Sequence, residues 1–122
     1  MAEILVVDGD ATARRVIRAL LEDAGHVVVE ASNGREGLEA FSEHVPDLVI
    51  TELYMDEMDG IEFLRGIRER WPPEPVLVMS SRTGPDAQSL LRVAQLLGAS
   101  GLLDKPILEK NLLEKVGAIL AA

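Results

Sequence analysis

The chain has 122 residues, 48% of them hydrophobic and 27% charged, which suits one water-facing domain with a sizeable core and is too short for two ordinary ones. Its formal net charge of −9 argues against direct contact with nucleic acid, whose phosphates call for a basic stripe, and the lack of cysteine excludes a disulfide framework, a thiolate metal site and a thiol nucleophile. No apolar run is long enough to cross a bilayer, and no signal-like segment precedes Ile4, so a cytoplasmic location without a membrane partner is expected.

The first apolar run, Ile4-Leu5-Val6-Val7, predicts a buried strand that ends at Asp8-Gly9-Asp10. Asp10 is placed to cap a helix with Val16, Ile17, Leu20 and Leu21 on one face. Val27-Val28-Val29 reads as the second strand, and Asn33-Gly34 opens a helix carrying Leu38 and Phe41. The third strand, Leu48-Val49-Ile50, runs to Glu52. After it comes a loop in which Met55 and Met58 are expected to pack, then Asp59-Gly60, then a helix with Ile61, Leu64 and Ile67 that Pro72-Pro73 ends. The fourth strand, Val76-Leu77-Val78-Met79, reaches Ser80-Ser81, and Gly84-Pro85 introduces a helix with Leu90, Leu91, Ala94 and Leu97. Leu102-Leu103 forms the fifth strand, leading to Asp104-Lys105-Pro106 and a last helix with Leu112, Leu113, Val116 and Leu120.

Unbroken apolar runs suit strands covered on both faces, and strict alternation with helices implies right-handed crossovers in a parallel sheet. The expected fold is therefore a single doubly wound α/β domain over residues 1–122, built from five β/α units.

In open α/β sheets, sites form outside the carboxyl ends of the strands. There the sequence collects Asp8, Asp10, Glu52, Ser80, Asp104 and Lys105. Each has an ordinary explanation: Asp10 as a helix cap, Ser80 as a loop hydroxyl, Asp104 and Lys105 as solvated charges. Their convergence on one edge is what points to a site, because Asp8 and Glu52 repel unless a cation or Lys105 lies between them.

Four stretches, "ILVVDGD", "DLVITELYMDEMDG", "PVLVMSS" and "GASGLLDKP", together resemble the receiver domain of two-component response regulators, over nearly the whole chain. The resemblance implies a flavodoxin-like sheet of strand order 2-1-3-4-5. It also implies an aspartate acceptor for a phosphoryl group from a histidine kinase, an acidic pair holding Mg²⁺, a hydroxyl and a lysine that contact the phosphoryl oxygens, and a cis bond before the proline. Asp8, Ser80, Lys105 and Pro106 match that pattern. Glu52 stands at the acceptor position, Gly9 at the second acid of the pair, Leu102 at the aromatic switch position, and Asp56 where proline is usual.

These departures imply a degenerate, pseudo-receiver type. Glutamate extends the carboxylate by about 1.5 Å, and misplacement near 1 Å costs on the order of a hundredfold in rate. Loss of a carboxylate at Gly9 leaves Asp8 and Glu52 as the side-chain metal ligands, so no cofactor is required and Mg²⁺ binding is expected to be weak or absent. Glu52 is expected to pair with Lys105 or Ser80 as a built-in negative charge. Leu102, being aliphatic, cannot exchange an aromatic hydroxyl between pocket and surface, which points to a domain with one state. The implied action is non-enzymatic, through a protein partner: a histidine kinase, an output domain or a second copy. The face would be that of the fourth helix, fifth strand and fifth helix, residues 87–97, 100–103 and 108–120. Two alternatives remain open. One is a phosphoaccepting receiver with altered chemistry. The other is a phosphatase of the haloacid-dehalogenase kind using Asp8 as nucleophile and Asp10 as acid/base on "VVDGDAT", although only Glu109 and Glu114 follow Lys105 as further acids in the last helix.

Overall fold

A computed structural model describes residues 1–55, 57–71, 74–80 and 85–122, with the Pro85 side chain left aside. Asp56, Pro72-Pro73, Ser81 and Gly84, all read in the sequence, lie outside the described residues. The chain alternates β1 (Glu3–Val7), α1 (Ala11–Asp23), β2 (Val27–Ala31), α2 (Gly34–Glu43), β3 (Leu48–Glu52), α3 (Gly60–Arg70), β4 (Val76–Ser80), α4 (Pro85–Leu96), β5 (Gly101–Asp104) and α5 (Glu109–Ala121). The strands pair in parallel in the order β2-β1-β3-β4-β5, as the resemblance implies.

The period-2 alternation of a strand divides the core into two layers. Ile4 and Val6 of β1, Ile50 of β3 and Leu77 and Met79 of β4 point to one side, where Ile17 and Leu21 of α1 and Leu112 and Val116 of α5 cover them. Leu5, Val7, Val49, Val76 and Val78 point to the other, against Phe41 of α2 and Phe63, Leu64 and Ile67 of α3. Every residue of β3 and β4 is buried, which is why these segments read as unbroken apolar runs.

Local signals start three of the helices. Asp10 Oδ1 accepts from the N–H groups of Thr12 at 2.9 Å and Ala13 at 3.4 Å. Asn33 accepts from Glu36 N at 2.9 Å, and Asp59 and Glu62 form a reciprocal capping box on α3. Met55 and Met58 pack against the second core layer as expected.

Two expectations need correction. Val27 and Val29 are 43% and 50% exposed, because β2 is the edge strand and only its Val28 and Ala31 side chains are buried. Val16 is 48% exposed and contributes to neither core layer, so the buried stripe of α1 is Ile17 and Leu21 with Leu20 at its margin.

Candidate functional site

The buried polar residues among those described are Asp8, Thr51, Glu52 and Ser80, and all lie at the carboxyl ends of β1, β3 and β4. They sit there because the parallel arrangement brings successive strand ends to one edge. The register sets Ser80 of β4 beside Asp104 of β5, one residue before Lys105, whose backbone N–H donates to Ser80 O at 3.0 Å.

Lys105 is the centre of the site. Its Nζ donates to Asp8 Oδ2 at 2.6 Å and lies 2.6 Å from Glu52 Oε2. The Lys105 side chain retains 17% exposure, against 2% and 6% for its two carboxylate partners. Burial alone pulls the ammonium's pKa down, but the hydrogen bond to Asp8 and the attraction of both carboxylates outweigh it, and the net shift is upward. The Glu52 arm is an ion pair between its Oε2 and the ammonium.

The remaining oxygens are used locally. Glu52 Oε1 curls back onto its own loop and accepts from Leu53 N at 3.1 Å and Tyr54 N at 3.3 Å. The Glu52 main chain is held by a close approach: Gly60 N donates to Leu53 O at 2.9 Å, and a Cβ at Gly60 would lie 2.3 Å from Glu52 O, so only glycine fits there. Asp8 Oδ1 accepts from Asp10 N at 2.8 Å. Asp10 turns its carboxylate to the N-terminus of α1, which makes it a cap and leaves it unsuited to serve as an acid/base partner for Asp8.

Gly9 is exposed and Leu102 half-buried, the latter against the second core layer. The Lys105–Pro106 bond is cis. Arg14 was not singled out by sequence reasoning. Its Nη1 donates to Asp8 O at 2.7 Å while its Nε pairs with Glu30 at 3.2 Å, so it orients the loop that carries Asp8. The signal in the sequence was an arginine one helical turn after the cap.

The donors present do not suit Mg²⁺, which prefers near-octahedral oxygen coordination. Both buried carboxylates face the Lys105 ammonium, Gly9 offers no side-chain oxygen, and Asp10 is committed to its helix. Among the described residues no group of His, Cys, Asp and Glu is arranged to hold a metal ion. Nor is any helix among them long and apolar enough to cross a membrane.

Residues 4–117 match the model of the response regulator receiver domain. A protein-glutamate methylesterase/protein-glutamine glutaminase of Oleidesulfovibrio alaskensis is 39% identical over 98% of this chain and 35% of its own length. The KDP operon transcriptional regulatory protein KdpE of Escherichia coli is 36% identical, over 87% of this chain and 45% of that protein. This chain thus spans less than half of each of these two relatives. Among solved structures, the chemotaxis response regulator CheY4 of Vibrio cholerae superposes with a TM-score of 0.88 at 30% identity, covering 98% of both chains. A fold with this strand order, a carboxyl-edge cluster of Asp8, Ser80 and Lys105, and a match across residues 4–117 lead to one conclusion: the chain belongs to the response regulator receiver domain family of two-component signalling.

Proposed function

We propose that this receiver works without phosphoryl transfer, with Glu52 as a permanent negative charge at the acceptor position and protein contact as its means of action. The observation that carries this reading is the Asp8–Lys105–Glu52 cluster, with both Lys105 contacts at 2.6 Å. Phosphoryl transfer of this kind depends on an in-line nucleophile and on a metal that neutralises oxygen charge. Here the carboxylate that would attack is paired to an ammonium and folded onto its own loop amides. The position that would complete the metal site is Gly9. Ser80 and Lys105 keep the identities of phosphoryl contacts, and Leu102 leaves the fifth strand without an aromatic switch.

The partner face is that of α4, β5 and α5, with Leu96 78% and Leu108 60% exposed on it, and the partner is a kinase, an output domain or a second copy. With a net charge of −9, direct nucleic-acid contact and membrane association are not part of this role, which belongs in the cytoplasm.

The test is intact-mass analysis after incubation with Mg²⁺ and acetyl phosphate. The native chain keeps its mass, whereas the double variant Gly9→Asp/Glu52→Asp gains one phosphoryl group. The added side chain at residue 9 has room, since a Cβ there meets only Ser32 O, at 3.7 Å. Phosphorylation of the native chain would overturn this reading in favour of an altered phosphoacceptor, to be located by peptide mapping.

A further inference from the structure

α4 differs from the other helices in what holds it. α1 buries Ile17 and Leu21, α2 buries Leu38 and Phe41, α3 buries Phe63, Leu64 and Ile67, and α5 buries Leu112 and Val116. The described side chains of α4 that are fully buried are both alanine, Ala87 and Ala94, with Leu90 and Leu91 half-buried. Alanine removes little apolar area from water, so the apolar docking of this helix falls to the half-buried Leu90 and Leu91, with Leu97 just beyond its end, and no large side chain among those described on it is fully buried.

At its C-terminal end a different kind of contact takes over. Arg68, in the last turn of α3, donates from Nε to Leu97 O at 3.0 Å, from Nη2 to Gly98 O at 3.1 Å and from Nη1 to Glu74 O at 3.0 Å. Leu97 and Gly98 directly follow α4, where carbonyls lack intrahelical donors and the helix dipole is negative. Glu74 lies in the segment between α3 and β4. One planar guanidinium therefore ties the end of α4 to two elements of the body, using the fork geometry that lysine lacks. Gly98 fits this arrangement: it has φ +91°, and a Cβ there would stand 3.3 Å from Arg68 Nε.

We propose that Arg68 is the clasp that determines whether α4 is docked, which makes α4 a unit able to open apart from the rest of the domain. Leu96, 78% exposed, is the residue just before the clasped carbonyls, so the clasp also sets where the helix presents its most exposed leucine. The consequence for partner binding rests on the α4-β5-α5 face proposed above, whereas the opening of α4 does not.

Hydrogen–deuterium exchange under native conditions tests this on the whole chain, with Arg68→Lys and Arg68→Gln beside the wild type. In both variants amides of residues 86–98 exchange about tenfold faster or more while those of residues 11–23 are unchanged, because only the local opening equilibrium shifts. Unaltered exchange at 86–98, or equal acceleration in all five helices, overturns the proposal. If neither variant folds, the wild type still decides: residues 86–98 open in urea in a step before global unfolding, and opening only with global unfolding overturns it. Phosphoryl labelling of the native chain leaves this result untouched, so the two proposals fail separately.

Discussion

At the scale of single residues, one ammonium balances two buried carboxylates. Replacing Lys105 by Met leaves Asp8 and Glu52 facing each other without a counter-ion, and removing one partner of a buried pair costs about 3–5 kcal/mol. The low end applies, since Lys105 keeps some solvent contact. Denaturant unfolding at neutral pH measures this. The native protein carries the converse signature. Burial lowers the Lys105 pKa but the two carboxylates raise it further, so its stabilisation is complete below the ordinary lysine value of about 10.4 and is lost as pH rises through the higher folded value. Lys105→Met is expected to abolish that alkaline contribution in a pH series of melting temperatures.

At the scale of elements, Asp10 links α1 to the site. Asp10→Ala removes the acceptor for Thr12 and Ala13 and costs about 1 kcal/mol, while Asp10→Asn keeps most of the stability because asparagine caps equally well. A result in which Asn is as damaging as Ala would mean that the carboxylate's charge matters beyond capping. The contact between α1 and β2 has an ionic part beside the apolar cluster of Ile17, Leu21 and Val28. Glu30 hydrogen-bonds Arg18 at 3.0 Å and Arg14 at 3.2 Å, and with Arg18 as the larger cause its pKa is lowered. Its stabilisation is therefore present above the ordinary glutamate value of about 4.3 and is lost as pH falls through the folded value. Glu30→Gln should flatten the acid limb of the stability curve over that window. These ionic contacts carry no hydrophobic period, so nothing in the sequence announced the pairing of Arg14 and Arg18 with Glu30 across α1 and β2.

At the scale of the whole molecule, the reading proposed above, in which the site's cation is its own lysine, predicts folding that is independent of divalent ions. Melting temperatures in EDTA and in millimolar Mg²⁺ are expected to coincide for the native chain. In the Gly9→Asp/Glu52→Asp variant they separate, because a ligand that binds only the folded state stabilises it by mass action. A Mg²⁺-dependent rise in the native chain would show that Asp8 and Glu52 accept a metal in spite of Lys105. The separate opening of α4 proposed above belongs to the same scale, since it sets a body with fully buried large apolar anchors beside one helix docked through half-buried leucines and polar contacts at its end.

The sequence by itself determined the order and type of all ten elements, because period and boundary chemistry are local: unbroken β-branched runs, Asp10 and Asn33 at helix starts, glycine at turns. It also determined that Asp8, Glu52, Ser80 and Lys105 share one edge, since strict β/α alternation leaves a parallel sheet no other arrangement. Only the tertiary structure decided which of Lys105 or Ser80 pairs with Glu52's free oxygen, that Val27, Val29 and Val16 remain exposed, that Arg14 turns back onto the Asp8 carbonyl, and that Arg68 reaches the carbonyls of Leu97 and Gly98. Those outcomes depend on packing angles between layers and on the reach of long side chains across them. Such contacts join residues up to 97 positions apart, as Asp8 and Lys105 are, and no local pattern encodes that distance.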